Sequence, residues 1–82
     1  MARDMRTAVL DARTGRFIRW VDGELMTWLH REDARVWIDD SPHYVPADAP
    51  ADDAAPSVVR AYELRLMAAY ERGMKRSQNV HN

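Results

Sequence analysis

Along the first forty residues, apolar side chains alternate or cluster in short runs; over the last twenty-five they recur at three- and four-residue steps. The first rhythm is that of strands and the second that of a helix. Thr7 to Leu10 forms a short β-prone run, closed by the loop Asp11-Ala12-Arg13-Thr14-Gly15. Arg16 to Val21 follows, and its Phe17, Ile18, Trp20 and Val21 all favour strands. Asp22-Gly23 is a tight-hairpin dipeptide. A three-residue turn with Gly23 as its bulge puts Ile18 and Trp20 on one face with Met26 and Trp28, as a sheet covered on one side requires.

Glu24 to Asp33 supports two readings. Leu25, Trp28 and Leu29 stand at helical spacing behind Asp22 as an N-cap, whereas Thr27 and Trp28 favour strand. His30 to Asp33 also makes a turn into Arg35-Val36-Trp37-Ile38, which has strand composition, so strand–turn–strand is narrowly preferred. Residues 41–56 hold all four prolines with Ala and Asp between them, and predict an extended, solvated linker without a regular ladder. Asp52 or Asp53 is placed to cap the next helix, whose first turn tolerates Pro56.

Residues 57–76 give the clearest element. Val59, Tyr62, Leu66, Ala69, Tyr70 and Met74 form one stripe, with Arg60, Arg65, Glu71, Arg72 and Lys75 on the other side. The tail, 77–82, is polar and expected to fray. Together these predict one small α+β domain over residues 1–82: an antiparallel sheet of three to four strands within 1–40, a Pro-rich linker, and one long amphipathic C-terminal helix packed on the sheet.

Charge sharpens the division. Twelve basic and thirteen acidic residues give a net charge of -1. Residues 1–40 are nearly balanced, 41–56 carry only Asp48, Asp52 and Asp53, and 57–82 carry five basic residues against Glu63 and Glu71. Near-neutrality argues against a simple polyanion binder. A chain of 82 residues buries only about 60–65% of its unfolded surface, and with no cysteine it has no disulfide staple. Apolar runs fall short of the roughly 18 residues of a membrane helix, and Arg3, Asp4 and Arg6 interrupt any leader-like core. A cytoplasmic protein without a membrane partner is the expectation.

Catalytic chemistry finds little support. His30, His43 and His81 lack the close spacing of a metal site. Asp39-Asp40-Ser41-Pro42-His43 brings two carboxylates near an imidazole, but a capped turn explains it better than a general base or hard-metal site; Glu32-Asp33 reads the same way. Gly15, Gly23 and Gly73 are too scattered to cradle a phosphate, and no serine sits in a nucleophile elbow. The chain is expected to be no enzyme and to need no metal or cofactor.

Binding chemistry is better represented. Trp20, Trp28 and Trp37 fill the core in the favoured reading and form a base-stacking platform beside Arg16, Arg19 and Arg35 in the other. Eleven arginines against one lysine suit carboxylate or phosphate recognition, although a high-GC genome, which the abundant Ala and Asp also suggest, explains the bias as well. Leu64 lies off the helix stripe and marks a second contact surface or a lone exposed residue. Arg16, Arg19, Trp20, Arg35, Leu64 and Arg65 are therefore the candidate partner-binding residues. The expected function is a non-enzymatic protein-binding module, such as a bacterial or phage-type regulator or inhibitor that occupies a surface of a larger protein. A homodimer is compatible with this. The alternative is a dimeric nucleic-acid-binding regulator using the Arg-bearing sheet or the basic helix end.

Overall fold

Thr7–Asp11 (β1) is buried at every position, although Thr7 and Asp11 are polar. A strand buried on both faces needs cover on both, and the computed structural model, which describes residues 5–79, supplies it. Four strands and two helices follow in the order β1, β2 (Arg16–Phe17), β3 (Thr27–Trp28), α1 (Arg31–Ile38), β4 (Tyr44–Asp48) and α2 (Pro56–Asn79). All strand pairings are antiparallel, and β1 is central: β2 and β3 lie along one edge and β4 along the other. This is the α+β fold expected from the two rhythms, with the long C-terminal helix on the sheet.

The segment from Arg16 to Trp28 is one partner strand of β1 interrupted by an outward hairpin. Phe17 pairs with Leu10 and Trp28 with Thr7, so eight more residues lie between them than a continuous ladder would hold. Those residues form the arch closed by the Arg19–Leu25 bridge. Trp20 N–H donates to Glu24 C=O (2.8 Å), Gly23 N–H donates to Trp20 C=O (2.9 Å), and Gly23 has φ +94°. That is a three-residue hairpin with glycine in the left-handed bulge position. Trp20 stands at its tip, 57% exposed, instead of on the core face with Met26 and Trp28.

The Pro-rich segment is not a free linker. Tyr44–Asp48 pairs with the whole of β1, in register Thr7–Asp48 through Asp11–Tyr44. Flanking bonds, Ala12 N–H to His43 C=O (2.7 Å) and Ala49 N–H to Arg6 C=O (2.8 Å), put the even-numbered residues of β1 in hydrogen-bonded pairs with β4. Pro46, opposite Val9, therefore falls at an outward-facing position, where its missing N–H costs the ladder nothing. Its carbonyl accepts from Arg31 Nη2 (3.0 Å), and the Asp48 carbonyl accepts from the Tyr62 hydroxyl (2.9 Å). Proline and these two donors blunt an edge that would otherwise template another strand.

Arg35 to Ile38 is helical, not extended. Ala34 and Ile38, four apart, are the buried positions of α1, and Glu32 and Asp33 lie in its first turn, where the helix dipole favours acids. The helix stops at Asp39, which adopts φ +54° and donates its N–H to Arg35 C=O (2.9 Å).

Two apolar clusters result. Ala8, Leu10, Phe17, Ala47 and Val59 pack under α2 with Tyr62, Leu66 and Met67. Val9, Ala34 and Ile38 pack on the other face with Ile18, Trp28 and Tyr44. The sheet is thus a middle layer between helices rather than a sheet covered on one side. α2 begins at Pro56, and Ala55 C=O accepts from Val58 (2.9 Å) and Val59 (3.0 Å), so neither Asp52 nor Asp53 holds the cap position. Of the expected stripe, Ala69 and Met74 are exposed, while Glu63 is buried within it. Residues 77–79 are helical; the rest of the expected frayed tail lies outside the described residues.

Candidate aromatic interaction face

The helix α1 is only two turns long, and beside it the residues flanking β1 on this face, Trp28 and Tyr44, stay half-buried. Cross-strand pairing to β1 places Trp28 opposite Thr7, and Tyr44 and Arg16 opposite Asp11, all on this face. Trp37 of α1 lies between the two rings. Its centroid is 5.4 Å from Trp28, tilted by 44°, and 5.6 Å from Tyr44, nearly parallel at 19°. The Arg13 guanidinium lies 5.6 Å from the Tyr44 centroid. One row thus runs Trp28–Trp37–Tyr44–Arg13 across the sheet, and Trp37 is 42% exposed. The tryptophans therefore do not fill one core: Trp28 is half-buried, Trp37 rides at the surface, and Trp20 is away at the hairpin tip.

The end of the row is fixed by Asp11. Its carboxylate accepts from Arg13 N–H (2.9 Å), Nε (3.1 Å) and Nη2 (3.1 Å), an Asx turn reinforced by a two-pronged guanidinium contact. The Arg13 side-chain hydrogen bond holds the Asp11 carboxyl below its ordinary value, against a burial effect of opposite sign. Arg13 also donates to the Tyr44 hydroxyl (3.4 Å). These contacts hold the half-exposed Arg13 guanidinium at the end of the row.

The six residues singled out in the sequence do not converge. Arg16 is exposed on the aromatic side, and Arg35 is exposed on α1. Arg19 donates to Gly23 C=O (2.7 Å) and braces the hairpin that carries Trp20. Leu64 and Arg65 belong to α2, on the opposite face of the sheet, with the Arg65 guanidinium 5.7 Å from the Tyr62 centroid. Arg13 and Tyr44 were missed. Their signal was Asp11-x-Arg13, a turn that returns a guanidinium to its own strand end, but Tyr44 lay in a segment read as linker.

The cleft between the hairpin and the start of α2 has a volume of about 510 Å³. Arg6 and Arg19 line it with Glu24 and Asp52, over Leu25 and Val59. Among the described residues no three His, Cys, Asp or Glu side chains group as metal ligands, and the Asp39–His43 stretch is the turn that ends α1. No helix there is long and apolar enough to cross a membrane. Comparison with known protein families, curated proteins and solved structures finds no match to this chain.

Proposed function

We propose that the protein is a non-catalytic binding module that holds a protein partner on the row formed by Trp28, Trp37 and Tyr44. The observation that carries this reading is Trp37: a large apolar ring left 42% exposed between Trp28 and Tyr44. Exposed aromatic side chains with an adjacent, pre-positioned arginine are the residue types that dominate protein interfaces. A regulator or inhibitor acting by surface occupation fits this chemistry, with Arg13 and Arg16 contributing polar contacts at the rim.

The ring arrangement favours protein over nucleic acid as the partner. Base stacking needs a free aromatic face. Here Trp37 and Tyr44 stack on each other, and Arg13 sits over Tyr44, so edges are offered more than faces. The test is affinity capture from host extract by the wild-type chain, Trp37→Ala and Trp20→Ala, with and without nuclease. A protein retained by wild type and Trp20→Ala, resistant to nuclease and lost with Trp37→Ala, supports the reading. Capture that disappears with nuclease, together with a salt-sensitive mobility shift, replaces it by the nucleic-acid alternative.

A further inference from the structure

We propose that the partner segment held on the aromatic row is a proline-rich stretch in the polyproline II conformation, an inference that rests on the row being the binding face. The row is one-sided in its hydrogen bonding. Among the described residues the indole N–H groups of Trp28 and Trp37 donate to no protein acceptor. Trp28 is half-buried, yet no buried side-chain nitrogen there lacks a partner, so its N–H opens to solvent. The Tyr44 hydroxyl accepts from Arg13 Nη2 (3.4 Å), which leaves its own hydrogen to donate outward. Arg13 Nη1, which makes no bond to Asp11, is a further donor. The Asp11 carboxylate is meanwhile taken up by Arg13. Ring edges carry the positive side of the aromatic quadrupole, so they too favour a partner's oxygen.

An apolar surface studded with donors selects a backbone that offers carbonyls and withholds N–H groups. A bound helix keeps its carbonyls for its own ladder. An ordinary extended strand alternates N–H with C=O, and an N–H set against this row loses water without gaining an acceptor. Proline has no N–H, and polyproline II leaves its carbonyls free of internal bonds. Its preformed, stiff backbone also lowers the entropy lost on binding.

The dimensions agree. Successive ring centroids along the row stand 5.4 and 5.6 Å apart, and one polyproline II turn of three residues advances about 9 Å. Residues one turn apart share a face, so a single turn reaches from Trp28 to Tyr44 with Trp37 beneath its middle.

The probe is an octaproline peptide, titrated into the isotope-labelled full chain and read at the tryptophan indole N–H resonances. Those of Trp28 and Trp37 should shift together and saturate, with a dissociation constant of roughly 10 µM to 1 mM, while that of Trp20 stays in place. A glycine–serine peptide of equal length, which bears N–H groups, should give no saturable shift. Trp37→Phe and Tyr44→Phe keep a ring and remove one donor each. Each should weaken binding about threefold to tenfold, with circular dichroism unchanged. No saturable shift at Trp28 and Trp37 overturns the proposal. So does an equal response to the glycine–serine peptide, or full affinity in both phenylalanine variants. The binding face is judged separately: a protein captured by wild type and lost with Trp37→Ala sustains it even where octaproline fails to bind.

Discussion

The Glu63 carboxylate of α2 accepts the backbone N–H of Phe17 at 2.6 Å, although only 2% of Glu63 is exposed. Phe17 pairs with Leu10, and the Ile18 N–H to Val9 C=O bond (2.9 Å) makes the odd residues of β1 the hydrogen-bonding ones on this edge. The N–H of Phe17 consequently points away from the sheet, and the helix carboxylate satisfies it. Arg60 closes the arrangement by donating to Gly15 C=O (3.0 Å) while approaching Glu63 at 3.5 Å. A buried charge thus fastens α2 to β2 and seals the second sheet edge, as Pro46, Arg31 and Tyr62 seal the first.

Removing that carboxylate should be costly. Glu63→Ala leaves the Phe17 N–H without its acceptor in a dry site and is expected to destabilise by about 3 kcal/mol. Glu63→Gln keeps an acceptor and should lose clearly less. Urea unfolding of the three chains measures both. Equal losses would mean that the negative charge, which Gln lacks, rather than the acceptor oxygen carries the contact.

Gly15 fixes the approach of the first turn to the helix. Its φ of +72° is left-handed, and a Cβ there would stand 3.1 Å from Met67 Cγ. Gly15→Ala should cost about 1–2 kcal/mol, mostly from the backbone, because the Met67 side chain can give way. Thermal unfolding reads this, and an unchanged melting temperature would contradict it.

The Asp11–Arg13 contact predicts a pH dependence of definite sign. Arg13 lowers the folded-state pKa of Asp11, so its stabilisation is present above the unfolded carboxylate value. It is lost as pH falls through the folded value, in the range below about pH 4. Carboxyl NMR titration should find Asp11 below the ordinary aspartate range in the wild type and higher in Arg13→Gln. Titration of Asp11 at an ordinary value in the wild type would remove the contact as a determinant of the row.

The tryptophans should separate by environment. Trp37 has rings on two sides but is partly solvated, so Trp37→Ala is expected to lose about 2 kcal/mol, less than a fully buried ring. Trp20→Ala, at the hairpin tip, should change stability by less than about 0.5 kcal/mol. Chemical denaturation distinguishes the two, and comparable losses would place Trp20 in a packed site.

These particulars also show where sequence patterning carries information and where it stops. α2 was legible because its apolar residues keep helical spacing, and the hairpin because Asp22-Gly23 supplies the turn chemistry. Val36, Trp37 and Ile38 have strand propensity and predict a strand where α1 stands; the decisive spacing is Ala34 with Ile38, and an eight-residue helix shows few such pairs. β4 was hidden by its prolines, since only the ladder register reveals that Pro46 faces outward. Glu63 sits four after Val59 and three before Leu66, inside the stripe, but an apolar pattern does not count a charged residue. Of the candidate site, the importance of tryptophan and arginine was legible, but which of them meet depends on pairings across β1.

The most direct test of the account is the capture comparison between Trp37→Ala and Trp20→Ala, both checked for native circular dichroism. A protein partner lost with the first and kept by the second is the predicted result. A partner held equally by wild type and Trp37→Ala, or lost only with Trp20→Ala, would contradict the claim that the Trp28–Trp37–Tyr44 row is the binding face.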